Sequence, residues 1–129
     1  MKISVLIADH SEAVRKAVVD LLKIDPEIEV VAECESYGQT IEIAAKLRPQ
    51  VIILDIHLND EYSVTPVQIK SGLNGSHVLA ISIWNDDGTK ALAERIGAVT
   101  LLDKANLATA LIPAIKYYAS GSERIPRSE

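Results

Sequence analysis

The 129 residues include 48% hydrophobic and 24% charged side chains, which suits one compact domain and excludes the sparse hydrophobicity of a disordered chain. A net charge of −5, with 13 scattered basic residues, excludes the basic stripe that neutralises a phosphate backbone, so no direct nucleic-acid binding is expected of this chain. The single Cys34 excludes an internal disulfide and a Cys-rich zinc pattern, and the opening MKISVLIAD is too short and wrongly flanked for a signal peptide or membrane span, so a cytoplasmic location without membrane contact is expected.

With no Phe and one Trp, the core must be built from Val, Ile, Leu and Ala. Ile3 to Ala8 is short, apolar and β-branched, and predicts a strand; Val14, Val18, Leu21 and Leu22 then recur on one helical face. Ser11 is the candidate N-cap of that helix, and Asp25-Pro26 ends it, because the residue before proline is disfavoured in helical geometry. Ile28 to Cys34 predicts a second strand with a buried, inert thiol at its end. Ser36-x-x-Gln39 has capping-box form ahead of a helix carrying Ile41, Ala44 and Ala45 and closed by Arg48-Pro49.

Val51 to Leu54 is apolar on both alternating faces, as a central strand covered on both sides must be, and stops at Asp55. Residues 56–62 read as a loop; Thr65 then caps, and Pro66 opens, a short helix running to about Ser71, with Gly72 and Asn74-Gly75 as stops. His77 is expected in the loop before a fourth strand, Val78 to Ile83. A helix from Thr89 to Ile96 is stopped by Gly97, and a fifth strand spans Val99 to Leu102. Asn106 is the expected cap of a last helix reaching about Tyr118, with a kink at Pro113. The domain is expected to occupy residues 1–119, followed by a polar tail or the start of a linker over 120–129.

Five strand-helix pairs in strict alternation imply parallel strands with right-handed crossovers, hence an open, doubly wound α/β sheet with helices on both faces. Ligands bind such sheets beyond the carboxyl ends of the strands, where the strand order reverses. The residues at those ends are Asp9 and His10 after the first strand, Asp55 at the third, Ser82 near the end of the fourth and Lys104 beyond the fifth. Carboxylates brought together repel, which favours an added cation; Lys104 supplies part of the compensation and a divalent ion the rest. The competing reading is that Asp9 and Asp55 cap loops and Lys104 merely pairs with one of them.

The segments VLIADHSEAVR, VIILD, VLAIS and GAVTLLDKANL, in this order and spacing, resemble the receiver domain of two-component response regulators from Ile3 to about Ala119. VVAECESYGQTIEIAAKLRPQ is similar to receivers joined to helix-turn-helix output domains. The resemblance implies a flavodoxin-like sheet of order 2-1-3-4-5 and a module that catalyses at most its own phosphorylation and dephosphorylation. It implies that Asp55 accepts a phosphoryl group from a histidine kinase or phosphotransfer protein, with Ser82 as the hydroxyl switch and Lys104 pairing with the carboxylate. Mg2+ would be held by Asp9, Asp55 and the backbone carbonyl of His57. The signalling face would be Thr89 to Tyr118, where Tyr117-Tyr118 are candidates for a partner or homodimer interface.

Three departures qualify this. His10 stands where the family has a second acid, which removes one negative charge and introduces a donor better suited to zinc, copper or nickel than to magnesium, so Mg2+ binding is expected to be weak and a ligand role for His10 stays open. Leu101 stands where an aromatic switch residue is common, and residues 57–60 read HLND where Met-Pro-Gly is common. His57 and Trp84 are expected near the phosphoryl position, the indole either shielding it or covering apolar surface. Two further readings remain: a phosphorylation-independent interaction module, and the receiver part of a DNA-binding regulator whose output domain lies beyond Glu129.

Overall fold

The β-branched runs form the strands and the 3.6-residue repeats form the helices, in strict alternation along the chain. In a computed structural model, which describes residues 2–121, the order is β1 (Ile3–Ala8), α1 (Glu12–Leu22), β2 (Ile28–Cys34), α2 (Tyr37–Leu47), β3 (Val51–Asp55), α3 (Pro66–Gly72), β4 (His77–Ser82), α4 (Asp87–Arg95), β5 (Thr100–Asp103) and α5 (Leu107–Ala119), with a 3-10 turn Lys104–Asn106 between the last two. All strand pairs are parallel and the sheet order is β2-β1-β3-β4-β5. The doubly wound, flavodoxin-like expectation is met.

Alternation along β3 explains why its sequence has no polar face. Val51 and Ile53 point into a core with Val18 and Leu22 of α1 and Leu107, Leu111 and Ile115 of α5. Ile52 and Leu54 point the other way, into a core with Tyr37 and Ala44 of α2, Ile69 of α3, and Ala93 and Ile96 at α4 and its C-cap. All five residues of β3 are buried. The four-residue spacing of Leu107, Leu111 and Ile115 keeps one stripe of α5 against the sheet. Burial of an aliphatic side chain contributes about 1.5–3 kcal/mol, so these two layers carry the fold.

Local chemistry sets most boundaries. Ser11 caps α1 by accepting from Val14 N, and Thr65 forms a full capping box with Gln68, with Pro66 in the first turn. Ser36 caps α2 through Gln39 N, but Gln39 Oε1 accepts from Glu35 N rather than from the cap residue, so the expected reciprocal box is shifted by one residue. Arg48 closes α2 in the left-handed region at φ 46°, and Gly97 takes φ 84° after α4, where a Cβ would meet Lys70 Cγ at 3.1 Å.

Four expectations are corrected. Helix α4 starts at Asp87, two residues before Thr89, and is capped by Asp86, whose carboxylate is held below its ordinary range by the bond from Thr89. Asn106 makes no side-chain cap; Asp103 Oδ1 caps the preceding 3-10 turn through Ala105 N. His77 is the first residue of β4, opposite Val51, and Ile83 lies outside it, 65% exposed. Strand β5 is displaced by one residue and ends at Asp103. Pro113 lies inside α5, which continues through it to Ala119. Of the tail expected over 120–129, residues 122–129 lie outside the described residues.

No helix among the described residues is long and apolar enough to cross a membrane. The two-sided burial of β3 yields a test. Ile53→Ala removes a fully buried side chain and is expected to cost about 2–5 kcal/mol in urea unfolding. Val67→Ala, on an α3 position that is 76% exposed, is expected to cost under about 0.5 kcal/mol in the same measurement.

Candidate functional site

The chain leaves β1 toward β2 on one side, and passes from β3 to β4 and β5 on the other, so the strand order reverses between β1 and β3. These strands pair directly, Ala8 with Leu54, which sets Asp9 and Asp55 side by side just beyond the register. Both are buried, at 0% and 3% exposure.

The tips of β1, β3 and β4 on this rim each carry a side-chain oxygen that accepts the backbone N–H two residues on. Asp9 Oδ1 accepts from Ser11 N, Asp55 Oδ1 from His57 N and Ser82 Oγ from Trp84 N, each at 2.9 Å. Short polar side chains make such local turns readily, and they satisfy N–H groups that have just left the ladder. The consequence for Asp55 is a division of labour: Oδ1 is spent on the turn and Oδ2 faces the pocket. Asp9 is fixed further by its own N–H, which donates to Cys34 O, and by Arg15 Nη1, which donates to its carbonyl at 2.6 Å.

Lys104, from the 3-10 turn, closes the cluster. Its Nζ lies 2.8 Å from Asp9 Oδ2 and donates to Asp55 Oδ2 at 3.2 Å. Burial alone pushes the ammonium pKa down, but the contact with Asp9 and the charge of Asp55 outweigh it and hold Lys104 above the ordinary lysine value. Asp9 Oδ2 is thus a buried carboxylate oxygen whose counter-charge is the Lys104 ammonium.

His10, half exposed, turns Nδ1 toward the acids, 3.6 Å from Asp55 Oδ2 and 3.9 Å from Asp9 Oδ1. Donor atoms of Asp9, His10 and Asp55 lie within 4.8 Å of one another, a group able to hold a metal ion. Two buried carboxylates facing a single ammonium fit a further divalent cation; the donor set departs from an all-oxygen magnesium site in its one nitrogen.

Thus Asp9, His10, Asp55 and Lys104 are brought together. Ser82 sits at the adjacent tip, 1% exposed, one residue past Ile81, the register partner of Asp55. The His57 side chain turns away toward Glu61, 3.5 Å distant, while its backbone N–H serves Asp55. Trp84 is 58% exposed. Leu101, at the position common to an aromatic switch, packs into the core beneath α2, α3 and α4.

Two residues escaped the sequence reading. Asp60 accepts from Tyr37 N and Gly38 N at 2.8 and 3.0 Å, placing a carboxylate on the positive end of α2. Tyr37, 1% exposed, donates its hydroxyl to Ile56 O at 2.6 Å. Burial and then the charges of Asp55, Glu61 and Asp60 push the Tyr37 phenol well above its ordinary range, so it remains a donor. The HLND turn is therefore fastened to α2 at both ends. An acid in a short loop hints at a cap, but nothing in the sequence says which helix it serves.

A family model described as "Response regulator receiver domain" matches residues 5–116. The chain is 36% identical over 106 residues to a protein-glutamate methylesterase/protein-glutamine glutaminase of Shewanella frigidimarina, covering 81% of this chain and 27% of that protein. It is 32% identical over 125 residues to the transcriptional regulatory protein DegU of Brevibacillus brevis, covering 96% of this chain and 53% of that protein. The chain thus spans between about a quarter and a half of these relatives' length. In three dimensions it resembles the signal receiver domain of the putative response regulator NarL from Mycobacterium tuberculosis, with a TM-score of 0.82 at 23% identity over 93% of this chain and 98% of the other.

Because the ammonium is the nearest counter-charge to two buried carboxylates, Lys104→Met in metal-free buffer is expected to cost about 1–3 kcal/mol in urea unfolding at neutral pH. A raised folded-state pKa means that the stabilisation is full below the ordinary lysine value of 10.5 and is lost as pH rises above it. The difference between wild type and variant should hold constant to about that pH and close beyond it.

Proposed function

This chain belongs to the response regulator receiver domain family, and on that premise we propose that it accepts a phosphoryl group on Asp55 and passes the change to a protein partner. The supporting observation is Lys104 Nζ lying between buried Asp9 and Asp55 at the reversal of strand order. Asp55 Oδ2 is the oxygen left free of the turn, and it is the proposed nucleophile.

The donor is a phosphohistidine on a histidine kinase or phosphotransfer protein, or a small acyl phosphate. As the bond from Asp55 Oδ2 to phosphorus forms, the donor's phosphorus–nitrogen bond breaks and its imidazole leaves with the electron pair and takes a proton; with an acyl phosphate the phosphorus–oxygen bond breaks and a carboxylate leaves. The step gathers anions, so positioning and counter-charge dominate its barrier. Asp9, Asp55 and the backbone carbonyl of His57 would hold Mg2+, which would supply counter-charge there. Lys104 follows the charge from the carboxylate to the phosphoryl oxygens. Ser82 Oγ, which in the resting structure accepts from Trp84 N, donates a hydrogen bond to a phosphoryl oxygen and draws the loop after β4 inward.

The partner-facing surface in this reading is α4, β5 and α5. Tyr117 is 53% exposed there and stacks edge-on against Tyr118, whose hydroxyl reaches Val99 O at 3.3 Å. A second copy of the chain and an attached output domain are both candidate receivers of the signal. In the proposed division of the chain, α5 ends the receiver unit at Ala119, and the residues after Ala119 serve as a connection.

Incubation with acetyl phosphate and Mg2+, read by intact mass, is expected to add the mass of one phosphoryl group to wild type and nothing to Asp55→Asn. His10→Asp is expected to raise the rate several-fold at limiting Mg2+. No adduct at saturating Mg2+ would sink this reading and favour a docking module that works without phosphate.

A further inference from the structure

The donor chemistry of the pocket raises the question of which cation it prefers. Two observations bear on it. The first is Asp9, fully buried, whose Oδ2 meets the Lys104 ammonium at 2.8 Å, in a pocket where the net charge of two carboxylates and one ammonium stays negative. The second is the position of His10 Nδ1. At 3.6 and 3.9 Å from the two carboxylate oxygens it is beyond hydrogen-bonding distance of either, yet it faces both. Those separations suit atoms that share an ion.

Tetrahedral ligands at about 2.1 Å from an ion stand roughly 3.4 Å apart. Octahedral neighbours at magnesium's distance of about 2.1 Å stand roughly 3.0 Å apart. The two His10 spacings lie closer to the tetrahedral value, and all three donor atoms lie within 4.8 Å of one another, so an inward shift of these side chains completes a site of one nitrogen and two oxygens. Magnesium keeps its waters and favours hard oxygen, whereas imidazole binds ions of the zinc, cobalt and nickel kind well. Among the described residues, Asp9, His10 and Asp55 form the group of three donors close enough for one ion. Cys34 is buried, with its sulfur against Thr40 Oγ1 at 3.3 Å, and stands outside that group.

We propose that the pocket formed by Asp9, His10 and Asp55 binds a divalent transition ion of the zinc, cobalt or nickel class in preference to Mg2+, with His10 Nδ1 as the selecting ligand. The inference rests on the proposed function only in taking this pocket to hold a cation, and no phosphoryl donor enters its test.

The metal-free full chain is titrated with CoCl2 and followed by visible absorption, then challenged with ZnCl2 or MgCl2. Wild type should develop a low-symmetry cobalt band at one equivalent that ZnCl2 abolishes and MgCl2 in large excess leaves in place. His10→Gln should weaken cobalt binding by about ten- to a hundredfold, with its circular dichroism unchanged. His10→Asp should bind Mg2+ more tightly and yield cobalt to it, whereas Cys34→Ser should titrate as wild type. Equal cobalt affinity in wild type and His10→Gln, or displacement of wild-type cobalt by Mg2+ at comparable concentration, would overturn the proposal. A phosphoryl adduct formed in Mg2+ alongside absent cobalt binding sinks this inference and leaves the proposed function standing; cobalt binding without any adduct does the reverse.

Discussion

The pairing of Ala8 with Leu54 that holds β1 against β3 also forces two carboxylates together at the next position. A sheet whose order reverses there cannot separate them, because their backbones are fixed by ladder hydrogen bonds and their side chains are enclosed. Like charges in a weakly screened pocket repel, and one ammonium, that of Lys104, stands between them. The other features of the site answer to this repulsion: the 3-10 turn that delivers Lys104 from the far edge, the Arg15 contact that fixes the Asp9 carbonyl, and the remaining negative charge that makes the pocket receptive to a cation or an incoming electrophile.

The same hydrogen-bonding device at the tips of β1, β3 and β4 gives the oxygens different freedoms. Asp55 Oδ1 holds its own turn, which continues into a loop tied to α2 by Asp60 and Tyr37. That side of the pocket is braced. The loop after β4 hangs from Ser82 Oγ through Trp84 N, with Ile83 and Trp84 largely in solvent. In the proposed mechanism a hydroxyl that turns toward a phosphoryl oxygen therefore moves the less anchored loop, which leads into α4. Leu101, partly buried against the core, stands in place of a rotating aromatic ring, so in that mechanism the change would be carried by backbone and packing.

His10 alters the balance at this pocket without disturbing the fold, since its side chain is half exposed and sits at the mouth. An imidazole in place of an acid trades charge for donor softness. The trade bears on which ion assists the chemistry, while Asp55 and Lys104 keep the arrangement expected of a phosphoacceptor and its counter-charge.

Periodicity in the sequence determined the fold class: Val51 to Leu54 could be apolar on both faces only as a central parallel strand, and five strand-helix alternations left little choice of topology. It also determined that Asp9, Asp55, Ser82 and Lys104 end up on one rim, because every parallel strand presents its carboxyl end to the same side. Side-chain capping was less legible, since Asn106 and Asp103, or Gln39 toward Glu35 and Ser36, compete over one or two residues for N–H groups that local sequence cannot rank. The tertiary structure alone decided that Asp60 caps α2 from a loop 23 residues away, that the Tyr37 hydroxyl reaches Ile56, and that His10 Nδ1 faces both acids while the His57 ring turns toward Glu61. These depend on distances between segments remote in the chain, and hydrophobic patterning, which fixes faces and order, carries no information about which way a polar side chain rotates at a strand tip.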